Sequence, residues 1–578
     1  MNRYYIGLAT TFHDPAIAIV GPDGQLCFAE AAERYLQVKR ALNQDPDALL
    51  RMPELLRQYC DKDAELVVAT TWSGGFATML RLATLAGAFR LERLRRVGSR
   101  INRTLLEDDD ELVYASLINQ MQEKAGLGVL IGAQQAFGHS RIRLRRFPHH
   151  LTHAAHACYT SAFSSAVCAV IDGMGEFGSM AFYRYDDGML RPIGRHWGRE
   201  SLGFLFALAT DLCGYDWRAG EEWKVMGLAS YGHLDPELYD LFGRIYRLDR
   251  GRLRFASRRK IQDAVALLRT KVRARGAPPL LAADMAHVGQ HVFSEIMTAV
   301  LRRLFAQGIS RNLALGGGCA LNSSYNGTIT AATSFENLHV PCAPGDDGNA
   351  VGAALLAYAQ DHPQHRRTAT IQIPYVGSAM PADVIERFVL HHGGARLTHW
   401  PQQIHRRAAQ LLADGKLLGW VQGRAEFGPR ALGNRSILAD PRKLELRARI
   451  SSSVKLREDF RPFAPAILHE FGAQYFENYQ EAPYMERTLR FRSDVADQVP
   501  AVVHVDQTGR VQTVKREWNA RFFDLIEAFR QITGVPLLLN TSFNIMGRPL
   551  IHSLEDAVGM FYTTGLDALI VDDFLLEK

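Results

Sequence analysis

The stretch Ala166-Val-Cys-Ala-Val-Ile-Asp172-Gly-Met-Gly-Glu176 reads as a buried strand ending in a polar, glycine-rich turn. Six apolar residues in a row suit a strand covered on both faces. Asp172 with Gly-x-Gly behind it offers backbone amides to a phosphate and a carboxylate to a metal ion. Upstream stands His149-His150-Leu-Thr-His153-Ala-Ala-His156. On a helix His149 and His153 lie one turn apart, so their imidazoles can converge on one cation. A helix of exposed or core-satisfied histidines is the competing reading.

Three more tight turns follow strand-like runs. They are the hairpin Gly7–Val20 around His13-Asp14, Leu313-Ala-Leu-Gly316-Gly317-Gly318-Cys-Ala-Leu-Asn322, and Pro344-Gly345-Asp346-Asp347-Gly348-Asn349-Ala350. Each exposes backbone at a strand end, where nucleotides bind in open α/β sheets. One such turn is ordinary loop chemistry, but four together are hard to explain that way. The strand-plus-Asp-Gly-x-Gly pattern resembles the phosphate hairpins of the actin/Hsp70/sugar-kinase superfamily.

The rest of the chain fits a soluble α/β protein. Its 578 residues suggest two to four domains at ~150 residues each. Hydrophobic residues make up 47% and charged residues 22%, which excludes wholesale disorder and fibrous repeats. A net charge of +6 is thin for a nucleic-acid binder, so no nucleic-acid partner is expected. No apolar run approaches the ~20 residues of a membrane span, and the start lacks a secretory pattern. Seven cysteines without a C-x-x-C pair fit reduced thiols, and a cytoplasmic location is expected. A polar stretch near residue 361 marks a linker, giving domains 1–362 and 363–578, both α/β. The arginine-dense segment 80–105 reads as a solvated helix face.

In the second domain Arg430, Lys455 and Arg461 are cations within 32 residues, and Asn540-Thr-Ser542 ends a strand with donor groups. Together they could neutralise phosphates, with arginine as the bidentate partner. Any one of them alone would more often be a surface cation. The aromatic and proline setting of Arg461 argues for partial burial and an anionic partner.

With these residues quoted, the chain resembles the antibiotic and nodulation-factor O-carbamoyltransferases. The resemblance also rests on Glu33-Arg34 with Lys39, Lys224-Val-Met-Gly-Leu-Ala-Ser-Tyr-Gly232, Gly428-Pro-Arg-Ala-Leu-Gly-Asn-Arg435, Lys455–Pro465 and Asn540–Asn544. It covers essentially the whole chain. Gly547-Arg548 departs from it, standing where Gly-Glu is expected.

The resemblance implies an actin-like ATPase N-terminal domain, similar to the tRNA threonylcarbamoyl-transfer enzymes, and a YrdC-like C-terminal domain. It implies that the C-terminal domain makes carbamoyl-adenylate from carbamoyl phosphate and ATP, carried with Mg(II), at Arg430, Lys455, Arg461, Asn540 and Ser542. The N-terminal domain would pass the carbamoyl group to a hydroxyl of a small-molecule acceptor, a secondary metabolite such as an antibiotic precursor. His149, His153, Asp172 and Asp347 would hold a divalent metal, Fe(II) being the family's usual ion. His13 would be the general base, with Lys39, Lys224, Gly316, Gly317, Asn322 and Asp346 around the adenylate. A tRNA threonylcarbamoyl transferase and an actin-like small-molecule kinase are the alternatives. The first wants a basic stripe, and the second has no use for the C-terminal cations. The acceptor's identity and the oligomeric state are not legible.

Overall fold

A computed structural model describes residues 2–82, 111–198, 200–274, 276–364, 370–391, 396–458 and 460–578. The arginine-dense segment lies outside the described residues from position 83 onward. The chain divides into two compact units. Unit 1 comprises Met1–Ala32, Arg40–Asn322 and Thr328–Gln372; unit 2 comprises Glu33–Lys39, Ser323–Gly327 and Ile373–Lys578. Two short segments from the first 362 residues, Glu33–Lys39 and Ser323–Gly327, thus group with the late residues, which a linear reading does not separate.

Unit 1 contains two five-stranded sheets. The first is built from β1 (Arg3–Ala9), β2 (Ala16–Val20), β3 (Leu26–Ala31), β4 (Glu65–Thr71) and β5 (Ile142–Phe147), in the order β3-β2-β1-β4-β5. The second uses β6 (Ser165–Ile171), β7 (Met180–Asp186) and β8 (Met189–His196). After a separate hairpin, β9 (Tyr246–Asp249) with β10 (Arg252–Phe255), it adds β11 (Asn312–Gly316) and β12 (Asn337–His339), in the order β12-β11-β6-β7-β8. In both sheets three antiparallel strands are followed by two that join in parallel. One topology is used twice. The β1–β2 turn carries His13-Asp14 and the β6–β7 turn carries Asp172-Gly-Met-Gly, so these turns occupy equivalent places.

Apolar runs explain the central strands, which are almost wholly buried. At the edge, β5 exposes Arg143 and Arg146, and Arg145 Nη2 lies 2.6 Å from Asp361 Oδ1. Two glycines set the close packing behind the site. A Cβ on Gly7 of β1 would lie 1.8 Å from Ala350 O, and one on Gly352 would lie 1.9 Å from Thr152 O. The helix Asn349–Asp361 therefore presses backbone to backbone on β1 and on the helix His149–Tyr159. That contact carries the turn Asp346–Gly348 to the histidines.

Unit 2 holds one nine-stranded sheet. Its strands are β13 (Arg396–His399), β14 (Leu418–Val421), β15 (Arg435–Ala439), β16 (Ala464–Leu468), β17 (Arg487–Arg490), β18 (Thr508–Val514), β19 (Leu537–Ser542), β20 (Ala568–Val571) and β21 (Phe574–Glu577). The order is β13-β21-β20-β14-β15-β19-β16-β18-β17. The helix Ala520–Thr533 buries Phe522, Leu525, Ile526 and Phe529 and stops at Gly534, whose φ is 80°. That is the face and the stop that the sequence dictates. Ser553 and Asp556 form a reciprocal capping box. All seven cysteines are free thiols, and six are buried. Among the described residues no helix is long and apolar enough to cross a membrane.

Candidate functional site

In unit 1 the helix His149–Tyr159 begins after Pro148 and sorts its four histidines by face. His149 and His153 point to one spot, with their Nε2 atoms 3.2 Å apart. Asp172 joins from the end of β6: its Oδ2 lies 3.2 Å from His149 Nε2 and 3.7 Å from His153 Nε2. Asp346 joins from the turn before Asn349–Asp361, its Oδ1 3.5 Å from His149 Nε2 and 3.3 Å from His153 Nε2. One donor atom from each of the four falls within 4.8 Å of the others. The fourth member is therefore Asp346 and not the expected Asp347. Successive residues of a tight 3-10 turn point in different directions. Asp347 Oδ1 accepts instead from Gly348 N within that turn, at 3.0 Å.

His150 and His156 face elsewhere and behave differently. Burial pushes each imidazole down to about 3, so both are neutral. A Cβ at Gly175 would lie 2.5 Å from the His150 ring, and one at Gly348 would lie 2.2 Å from His156 Nδ1. They are packing residues beneath the two acidic turns. His149 and His153 thus face the two carboxylates, while His150 and His156 pack on a different face of the same helix.

The quartet suits a cation. Burial acts to raise the Asp172 carboxyl, but the hydrogen bond to His149 and the two histidines hold it well below the carboxylate range. Burial lowers His149, but Asp172 and Asp346 leave it above its ordinary value. Two imidazole nitrogens with two carboxylate oxygens form a donor set for a borderline divalent metal. Neighbours orient it. Gly318 N donates to Asp172 Oδ1 at 2.9 Å, while Asn349, whose Oδ1 accepts from Thr152 Oγ1 at 2.9 Å, has its Nδ2 3.1 Å from His153 Nε2, the nitrogen a cation would take. Gly317, at φ 88°, lets that backbone approach: a Cβ there would fall 2.4 Å from Ile171 O.

His13 connects to this cluster through a carboxylate. Its Nδ1 lies 3.0 Å from Asp14 Oδ2 and 3.5 Å from Asp346 Oδ2, the oxygen turned away from the histidine pair. Arg40 Nε sits 3.3 Å from Asp14 Oδ2 and its Nη1 donates to Trp217 O and Arg218 O. Burial and Arg40 push His13 down, but Asp346 and Asp14 outweigh them and the net direction is up. The ring keeps 39% exposure, enough to meet a substrate.

The other expected residues of unit 1 are held as follows. Asn322 exchanges amide hydrogen bonds with Gln290 at 2.9 and 3.2 Å. Lys224 Nζ lies 2.6 Å from Glu221 Oε1 and 5.0 Å from the Tyr215 ring centroid. Gly316 passes the histidine helix, with His153 O 3.3 Å from its Cβ direction. Lys39 belongs to a segment of unit 2, where its Nζ lies 3.3 Å from Glu33 Oε1.

Unit 2 gathers cations. A π-helical turn Ile450–Lys455, ended by Leu456 at φ 52°, buries Lys455. Its ammonium donates to Ser542 Oγ at 2.9 Å, Asn544 O at 3.0 Å, Ser542 O and Asn544 Oδ1. Burial, Arg457 and Arg461 drive the Lys455 pKa well below the lysine range. Burial lowers Arg430 to about 10, and burial with Arg430, Arg457 and Arg461 lowers Arg510. Arg461 Nη1 has Glu458 Oε2 at 3.5 Å, and Arg457 lies over the Phe463 ring at 4.1 Å.

Glu426 builds the loop that bears Arg430, accepting from the backbone N–H groups of Leu432, Asn434 and Arg435. Asn540 supports the same loop, donating to Ala431 O at 3.2 Å and Gln512 Oε1 at 2.8 Å. Arg435 stands apart: wholly buried, it donates to four backbone carbonyls and serves the fold.

Sequence reasoning missed Arg40, Asn349, Arg457 and Arg510. Arg40 adjoins Lys39, Asn349 lies inside the quoted Pro344–Ala350 turn, and Arg457 lies inside the quoted Lys455–Pro465 run. Arg510 had no signal, since β18 brings it in from elsewhere in the chain.

The sequence matches the family described as Carbamoyltransferase N-terminus over residues 115–355 and Carbamoyltransferase C-terminus over residues 409–578. It is 39% identical to nodulation protein NolNO of Sinorhizobium fredii, over 99% of this chain and 80% of that one. Nodulation protein NolO of Bradyrhizobium diazoefficiens is 38% identical, over 74% of this chain and 78% of that one. Among solved structures, full-length HypF in the phosphate- and nucleotide-bound form covers 62% of this chain and 55% of its own, at 12% identity and a TM-score of 0.35.

Proposed function

The chain belongs to the carbamoyltransferase family and is a transferase enzyme, and from that premise we propose that it is an ATP-dependent O-carbamoyltransferase working through carbamoyl-adenylate. One observation carries this reading: the cation cluster of unit 2, in which Lys455 is buried and Arg430 and Arg510 half-buried, with Lys455 and Arg510 pushed toward neutrality by burial and neighbouring arginines and Arg430 by burial alone. Such a cluster lowers its energy by taking up phosphates, and a simple transferase has no use for it.

In unit 2, a YrdC-like domain in this reading, carbamoyl phosphate loses phosphate to water and leaves carbamate. A carbamate oxygen then attacks the α-phosphate of ATP, brought in with Mg(II), and pyrophosphate leaves. Lys455, Arg430, Arg461 and Arg510 neutralise charge on the transferring phosphorus, while Ser542 and Asn544 aim the Lys455 ammonium.

In unit 1, an actin-like ATPase fold in this reading, His13 accepts the proton of the acceptor hydroxyl as its oxygen attacks the carbamoyl carbon and AMP departs. Asp14 and Asp346 favour the protonated ring that results. His149, His153, Asp172 and Asp346 would hold a divalent ion, Fe(II) by family resemblance, which when bound supplies Lewis acidity. The acceptor is a small hydroxylated molecule.

The test is pyrophosphate release from ATP and carbamoyl phosphate with no acceptor present. The reading expects release that stops when either substrate is omitted. Carbamoylation of an acceptor without ATP would overturn it.

A further inference from the structure

The segment Glu33–Lys39 follows β3 in sequence yet belongs to unit 2, and the reading above uses none of its contacts there. Arg34 is only 4% exposed, and its Nη2 donates to the carbonyl of Gly428, two residues before Arg430. Gly428 is buried at φ 105°, a backbone state that favours glycine, and the guanidinium fixes where its carbonyl points. Gln37 turns the segment at φ 53°, and its Nε2 donates to Arg34 O at 2.7 Å and to Leu550 O at 2.9 Å. Arg548 Nη1 donates in turn to Gln37 O at 3.1 Å.

The loop that carries Arg548 and Leu550 starts at Lys455. Asn544 O accepts from Lys455 Nζ at 3.0 Å, Met546 N donates to Lys455 O at 3.1 Å, and Asn544 Nδ2 donates to Arg548 O. One short segment thus holds two loops of its own unit, the turn leading to Arg430 and the loop that aims Lys455. Packing does not explain the residues used. A buried guanidinium loses its hydration, and among the described residues no group accepts from Arg34 Nη1. Arg548 stands where the family resemblance leads to glutamate, and a carboxylate could not donate to Gln37 O.

We propose that Glu33–Lys39 is a brace for the anion centre of unit 2. Arg34 is the positioning residue for Arg430, and the Gln37–Arg548 pair positions the loop that aims Lys455. The proposal rests on the reading of that cation cluster as a phosphate centre, and it names the residues that preorganise it. Like charges push cationic side chains apart, so the loops that bear them need a hold from outside the cluster if they are to converge before the ligand arrives. A segment hydrogen-bonded to both loops supplies that hold.

Hydrogen exchange read by mass spectrometry, and calorimetric binding of inorganic pyrophosphate, test this on the full-length protein. Arg34→Met should speed exchange in peptides covering 426–435, and Gln37→Met and Arg548→Ala should do so in peptides covering 543–551. Arg34→Met should bind pyrophosphate roughly tenfold more weakly, the scale of one hydrogen bond to a charged group, and Arg34→Lys should recover part of the loss. Arg34→Met combined with Arg430→Met should be no weaker than Arg430→Met alone, because one residue acts through the other. Gln37→Met changes no charge and Arg548 is exposed, so these two variants decide the matter even if Arg34→Met does not fold. Both should bind pyrophosphate more weakly than wild type. Faster loop exchange with unchanged pyrophosphate affinity would make the contacts merely structural and overturn the proposal. Strictly additive losses in the double variant, or wild-type protein that binds no pyrophosphate, would overturn it too. Release of pyrophosphate from ATP and carbamoyl phosphate is measured separately: its absence in wild type counts against the adenylation reading, while exchange and binding still judge the brace.

Discussion

Unit 1 and unit 2 each bury a charged cluster, and the two are built from opposite inventories. In unit 1 two imidazoles face two carboxylates, and within this group opposite charges overcome burial: Asp172 is held down by histidines, and His13 is lifted by Asp346 and Asp14. In unit 2 Lys455 and Arg510 are shifted by burial and by like charges, with no carboxylate among the causes. A mixed cluster is partly balanced from within, and its two imidazoles and two carboxylates are a donor set that suits a cation. The cationic cluster holds one carboxylate, Glu458, 3.5 Å from Arg461, and the rest of its charge calls for an anion from outside. Neighbour composition, more than burial, separates the two clusters: one suits a cation and the other an anion.

The largest effect should come from breaking the cationic side. Arg461→Ala should slow acceptor-independent pyrophosphate release by ~2–4 kcal/mol of transition-state stabilisation, roughly 30- to 1,000-fold. Steady-state pyrophosphate assays read this directly. Metal content in that variant should stay at the wild-type level, because the opposite cluster is untouched.

On the mixed side, Asp346→Ala should strip the metal from anaerobically purified protein, whereas Asp347→Ala should retain it, as measured by elemental analysis. Equal loss in both variants would break the assignment of the fourth donor. A smaller effect is expected one shell out. Asn349→Ala should change metal affinity only modestly, because Asn349 Nδ2 contacts His153 at Nε2, the nitrogen that faces the quartet, and holds no second ring nitrogen. Thr152→Val, which removes the bond that aims Asn349, should cost less.

The smallest effect is a pH shift. His13 must be neutral to take a proton, and its pKa is raised. The acid limb of acceptor carbamoylation should therefore lie above ~6.5, the ordinary imidazole value. Asp14→Asn removes one of the two carboxylates that raise it, so the limb should move to lower pH. Pyrophosphate release should not follow the shift.

Much of this was legible in the sequence, for reasons that can be traced. Strands such as 166–171 and 16–20 announce themselves by apolar runs bounded by glycine turns, and the Ala520–Thr533 helix by its Phe522, Leu525, Ile526 and Phe529 face. His149, His153 and Asp172 were readable from helical spacing and a strand end. The choice between Asp346 and Asp347 was not, because adjacent residues of a 3-10 turn differ only in direction. Nor was the grouping of Glu33–Lys39 and Ser323–Gly327 with unit 2, since long-range contacts leave no local mark. Arg510 and Arg40 owe their places to pairing and turn geometry in distant strands. The different fates of His150 and His156 depend on Gly175 and Gly348, far from them in sequence, allowing close approach.

The central claim, two chemically opposite centres dividing one reaction, is tested most directly by measuring both half-reactions in one variant. His13→Asn should lose acceptor carbamoylation while releasing pyrophosphate from ATP and carbamoyl phosphate at nearly the wild-type rate. A folded His13→Asn protein that lost both activities in parallel would contradict the division.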